Sequence, residues 1–138
     1  MSMRPSRKDA RRRVEAWSAD GGLTWSKAAE VEPLPDPVCQ ASVLRYTTAA
    51  GHGKSRVLFA NPASVERNTM TVRLSYDECR SWPVSRVLHA GPSSYSDLAI
   101  APDGTIACLY ERGNYHRREA IRLAQFNLEW LTGGEDSL

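Results

Sequence analysis

Two stretches, "SADGGLTW" (Ser18–Trp25) and "SYDECRSW" (Ser75–Trp82), decide how this chain is read. Both fit S-x-D-x-x-x-[T/S]-W, and they begin 57 residues apart. The pattern has a physical logic. An aspartate carboxylate can accept from backbone N–H groups inside a tight turn, and hydroxyl residues can tie the same turn together. Gly22 permits a positive φ. The closing Trp can cover apolar surface between neighbouring sheets. In the second copy Cys79 stands where Gly22 stands in the first, so that turn is expected to be strained or reshaped. A period of tens of residues with several strands per period points to a propeller or solenoid.

The sequence around these turns is patterned as β structure. Short runs rich in Val, Leu, Ile and aromatics are separated by turn clusters. Strands are expected near 13–18, 40–46, 55–61, 70–76, 85–89, 95–101, 105–111 and 120–127. Pro102-Asp103-Gly104-Thr105 is a hairpin signal, because Pro presets φ and Gly accepts a positive φ. Asp36-Pro37 and Gly51-His52-Gly53 mark loops. No long segment keeps a 3.6-residue period, so helix should be scarce. The basic stretch Arg4–Arg13 is expected to be a solvated loop or a frayed helix.

Bulk properties exclude several functional classes. With 138 residues and a net charge of +2, the chain has the size of one domain and no global charge suited to nucleic acid or an anionic membrane. Nothing approaches the roughly 20 apolar residues of a membrane span. The basic N-terminus has no apolar segment behind it and is not a secretory signal. The three cysteines, Cys39, Cys79 and Cys108, form neither a disulfide framework nor a zinc pattern, and read as small apolar residues. His52, His89 and His116 lack metal spacing. No cofactor or metal is expected, and the sequence leaves the compartment open.

The repeated turn resembles the Asp-box of sialidases and related β-propellers. The resemblance extends in order through Leu34–Ser42, Asn61-Pro62-Ala63, Arg67, Thr71–Asp77, Trp82–Ser85, Ser94–Leu98, Asp103–Thr105, Leu109–Glu111 and Phe126–Leu131. It is similar to the last blades of an exo-α-sialidase (neuraminidase), with Phe126–Leu131 as the final strand. The resemblance implies an all-β fold: a partial six-bladed β-propeller, about two and a half blades of antiparallel four-stranded sheets. Residues 1–138 would be the C-terminal fragment of such a domain, with the N-terminal blades missing.

That resemblance also implies chemistry. The tyrosine of the Tyr-Ser-Asp-Leu strand is the family's nucleophile and matches Tyr95. Sialic acid carries a carboxylate beside its anomeric carbon, so a neutral phenol avoids the repulsion that a carboxylate nucleophile would meet. The phenol then needs a partner to take its proton. Three arginines hold the substrate carboxylate in the family, since a guanidinium fork grips it bidentately and stays charged. Arg67 matches one, 28 residues before Tyr95, and Arg4 matches another. Glu111 matches the glutamate that orients an arginine of the triad. The activating glutamate, the acid/base aspartate and the remaining arginine have no match in the chain.

Blander readings stand beside these. Tyr95 by itself would be a packed strand tyrosine, Arg67 a solvated arginine and Glu111 a hairpin-end charge. Asp97 is expected to structure a strand end, and Trp25 and Trp82 to pack. The expected function is retaining hydrolysis of terminal α-linked sialic acids on glycoconjugates, with this chain alone incomplete and inactive. The alternatives are a non-catalytic Asp-box module for binding or interaction, and a trans-sialidase.

Overall fold

The computed structural model describes residues 1–6 and 11–138. Of the basic stretch expected as loop or frayed helix, residues 7–10 lie outside the described residues. The flanking parts form β1 (Ser2–Met3) and β2 (Arg12–Glu15), which pair with each other and with β3 (Ala29–Pro35) in a three-stranded antiparallel sheet. A six-stranded antiparallel sheet follows. It consists of β4 (Ser42–Thr47), β5 (Arg56–Pro62), β6 (Asn68–Ser75), β7 (Val84–Ile100), β8 (Ile106–Arg112) and β9 (Ala120–Phe126), adjacent in chain order. Two short helices, α1 (Ala49–His52) and α2 (Leu128–Thr132), complete the described elements. Neither is long and apolar enough to cross a membrane.

β5 explains how the layers come together. Every residue of Arg56–Pro62 is buried, so both faces of the strand are covered. Val57 and Phe59 point to one side, where they meet Leu34 of β3 and Trp82 of the second Asp-box turn. Leu58 and Ala60 point to the other. There they join Met70, Val72 and Leu74 of β6, and Leu98, Ile106, Cys108 and Tyr110 of β7 and β8. The period of 2 in β5 thus serves two cores at once. The six-stranded sheet curls so that its C-terminal strands pack over its own middle.

Both Asp-box turns close with the same bonds. Asp20 accepts from Thr24 N at 2.9 Å and Thr24 Oγ1 at 2.6 Å, while Ser18 Oγ accepts from Gly22 N at 2.8 Å. Asp77 accepts from Ser81 N at 2.8 Å and Ser81 Oγ at 2.6 Å, while Ser75 Oγ accepts from Cys79 N at 2.9 Å. Cys79 keeps the geometry of Gly22 at φ 68°, after Glu78 at φ 60°. The expected strain is therefore present, and the turn is not reshaped. Glu78 also pairs with Arg45 and Ser55, which anchors this turn to the β4–β5 hairpin. Trp82 is buried against Phe59, with ring centroids 5.5 Å apart. Trp25 is half exposed and donates Nε1–H to Gly22 O at 3.0 Å.

Three expectations need correction. The strands expected at 85–89 and 95–101 are the two ends of the single strand β7, which pairs with β6 through its first half and β8 through its second. Pro92, which has no N–H to give, sits where pairing passes from one partner to the other. β3 was not expected: its acidic and proline-containing sequence AEVEPLP suits an edge strand that pairs on one side only. The closing Phe126–Leu131 is not a strand beyond Phe126. Asn127 caps α2 by accepting from Trp130 N, and Leu128 and Leu131 of that helix are buried.

Candidate active site

Tyr95 sits in an irregularity of β7. Ser93 pairs with Arg112 and Ser96 with Tyr110, so three steps along β7 oppose two along β8. Such a bulge leaves an extra residue out of the ladder and re-aims its side chain. The burial pattern shows the result: Ser93, Ser94 and Ser96 are buried while Tyr95 between them is 44% exposed. The amide of Tyr95, freed from the ladder, donates to Glu111 Oε2 at 3.3 Å.

Arg67 lies just before β6 and reaches across the opening. Its Cζ stands 5.5 Å from the centroid of the Tyr95 ring, a cation–π distance. Its Nη1 donates to Ser94 Oγ at 3.2 Å and its Nη2 to Val38 O at 2.9 Å. The guanidinium is thus held from two sides. Arg73 lies within β6 and donates to Asn61 Oδ1, away from this cluster.

The structure brings Tyr95, Arg67 and Glu111 together, and leaves Arg4 outside their hydrogen-bond network. Arg4 follows β1 with an exposed side chain, and no hydrogen bond or ion pair links it to those three. Glu111 accepts from the Tyr95 amide. A concavity beside Tyr95 is lined by Gln40, Ser96, Leu109, Glu111 and Ile121. Asp97 is exposed and accepts from Ser42 Oγ at 3.2 Å and Leu98 N at 3.1 Å, so it ties β7 to β4 as a structural carboxylate. Among the described residues no group of three or more His, Cys, Asp and Glu side chains is placed to hold a metal. The cysteines are free; burial pushes the Cys108 thiol up to about 12 and the Cys79 thiol up to about 11.

Three residues at the site were given no role by the sequence. Gln40 exchanges two bonds with the Ser96 backbone, accepting from its N–H at 3.0 Å and donating to its carbonyl at 2.8 Å. Ser94 binds Arg67, and Val38 supplies the second acceptor. The serines beside Tyr95 are therefore buried connectors. The sequence signals in this region were Asp36-Pro37, read as a loop, and the resemblance through Leu34–Ser42 and Ser94–Leu98.

Comparison with known proteins gives a consistent answer. The BNR repeat-like domain family matches residues 1–108. A sialidase of Micromonospora viridifaciens is 41% identical over 137 residues, which cover 96% of this chain and 20% of that protein. The Hadza microbial sialidase Hz136 superposes with a TM-score of 0.77 at 30% identity, covering 94% of this chain and 25% of that one. The leech intramolecular trans-sialidase, solved with 2,7-anhydro-Neu5Ac, superposes with a TM-score of 0.76 at 23% identity. It covers 90% of this chain and 21% of its own, and shows the fold alone. The chain thus spans about a fifth to a quarter of the length of these relatives. With repeat family, relatives and fold in agreement, the chain belongs to the BNR-repeat sialidase family.

Proposed function

We propose that this chain carries the nucleophile and part of the carboxylate clamp of an exo-α-sialidase, acting on terminal α-linked sialic acids of glycoconjugates. The supporting observation is the Arg67 guanidinium fixed 5.5 Å over the exposed ring of Tyr95, which the β7 bulge turns outward. Arg67 places a permanent positive charge where a substrate carboxylate would sit next to the anomeric carbon. Arg4 is the second carboxylate ligand. Glu111 holds the Tyr95 backbone, and would orient a further arginine of the clamp.

In the proposed reaction, Tyr95 Oη attacks the anomeric carbon while a base takes its proton. The bond from that carbon to the leaving oxygen breaks, and an acid protonates the departing sugar. Water then displaces the tyrosine, and a second inversion restores the starting configuration. The base and the acid have no match among these residues. On this reading the fold is an arc of a six-bladed propeller of about two and a half blades. The chain alone binds sialic acid weakly and turns sialosides over negligibly.

The test is an assay of the purified 138-residue chain on a fluorogenic sialoside. Negligible turnover is expected. Turnover comparable to that of a full-length relative would show that the chain is catalytically complete. Where the chain does turn the sialoside over, equal turnover by its Tyr95→Phe variant would remove the tyrosine from the mechanism. Failure to bind sialic acid at all would favour an interaction module.

A further inference from the structure

The segment Asp36–Gln40 touches Arg67 and both neighbours of Tyr95. Val38 O accepts from Arg67 Nη2, Cys39 Sγ lies 3.8 Å from Ser94 Oγ, and Gln40 brackets the backbone of Ser96. Arg67 and both neighbours of Tyr95 thus rest on one five-residue turn. The turn itself is strained. Val38 is β-branched and adopts φ 57°, a left-handed conformation that such residues strongly disfavour. With an ordinary negative φ, the turn could not present the Val38 carbonyl to Arg67 in the same way.

Strain of this kind persists only when its surroundings impose it. Here a buried ion pair does so. Asp36 Oδ1 accepts from Cys39 N at 2.9 Å, closing the turn across Pro37 and Val38. Asp36 Oδ2 accepts from Arg13 Nη1 at 3.0 Å, and that same nitrogen also donates to Cys39 O at 3.0 Å. Both side chains are almost fully buried, so this pair is barely screened by solvent. Arg13 Nε also donates to Ser2 Oγ at 2.9 Å, which ties the turn to β1, the strand that leads into Arg4.

We infer that Val38 is a positioning residue for Arg67, held in its left-handed conformation by the Arg13–Asp36 pair. This rests on the reading of Arg67 and Tyr95 as the sialic acid site. It extends that reading with a device that fixes the clamp before substrate arrives.

The experiment uses NMR of the 138-residue chain, following the Arg67 Nε–Hε resonance, assigned by its loss in Arg67→Lys, with sialic acid as the titrant. Val38→Pro cannot adopt a positive φ. It is expected to shift or broaden the Arg67 resonance and to abolish sialic acid binding. Val38→Gly adopts the same φ without penalty and is expected to recover both. The contrast separates backbone conformation from loss of the valine side chain. Should Val38→Pro fail to fold, Asp36→Asn removes the carboxylate that holds the turn and is expected to displace the Arg67 resonance. Folded Val38→Pro or Asp36→Asn retaining the Arg67 resonance unchanged overturns the inference. If wild-type chain shows no response to sialic acid while Val38→Pro still displaces Arg67, the positioning role stands and the proposed function falls.

Discussion

Arg67 shows how much a single side chain carries here. It donates to Ser94 Oγ and Val38 O through two different nitrogens while its Cζ lies 5.5 Å from the centroid of the Tyr95 ring. A lysine keeps the charge and loses both the fork and the stacking plane. Arg67→Lys is therefore expected to weaken sialic acid binding by about tenfold to a hundredfold, on the scale of about 1.5–3 kcal/mol for one charge-assisted hydrogen bond. An NMR or calorimetric titration checks it, and unchanged affinity would make Arg67 a surface charge. Gly22 gives a residue-scale test of the fold. At φ 96°, an added Cβ would lie 3.4 Å from the Trp25 ring in a conformation unsuited to L-residues. Gly22→Ala should destabilise by about 1–2 kcal/mol in chemical denaturation.

The Asp-box turn is the element in which sequence and structure agree most closely, because its bonds are local. Residues two to four apart close it, so the spacing of Ser, Asp and Ser or Thr already contains the geometry. Its pH behaviour follows. The hydrogen bond from the Ser81 hydroxyl, then that from the Ser81 amide, hold the Asp77 carboxyl down at about 2. A depressed carboxyl stabilises the fold above its unfolded value, near 3.9, and loses that contribution as pH falls through about 2. The stability gap between wild type and Asp77→Asn should therefore be present at neutral pH and closed by about pH 2, followed by denaturation across pH. A gap independent of pH would show that the charge does not matter. β7 and α2 were less legible for the opposite reason. Whether Gly91-Pro92 breaks a strand depends on partners from β6 and β8, which lie far away in sequence. Phe126–Leu131 carries apolar residues that suit a strand as well as a short helix, and the Asn127 cap decides between them.

At the scale of the molecule, long-range ionic contacts escaped the sequence altogether. Asp136, near the end of the chain, is buried and accepts from Arg56 Nε and Nη2, both at 2.8 Å, and from Lys54 Nζ at 2.9 Å. This clamps the C-terminal tail to the start of β5, across 80 residues of sequence. Nothing local marks Asp136 as different from its acidic neighbour Glu135. Bonds from Arg56, then Lys54, hold its carboxyl well below the usual carboxylate range. Its contribution is therefore full above the unfolded value, near 3.9, and is lost progressively as pH falls from there through the folded value. Asp136→Ala leaves Arg56 buried without its partner and should destabilise by about 3–5 kcal/mol at neutral pH. A loss below about 1 kcal/mol would place the tail outside the cooperative unit.

The proposed site was likewise legible only through resemblance. Tyr95 and Glu111 meet across the paired strands β7 and β8, and Arg67, held by the turn at Asp36, joins them from before β6. The proposed role of this cluster is to recognise a sialic acid carboxylate. The most direct measurement is an NMR titration of the purified chain with sialic acid and, separately, with its methyl ester. Sialic acid is expected to shift the resonances of Arg67 and Tyr95, and the ester, which lacks the negative charge, to leave them in place. Equal shifts from both ligands, or shifts confined to other residues, would contradict it.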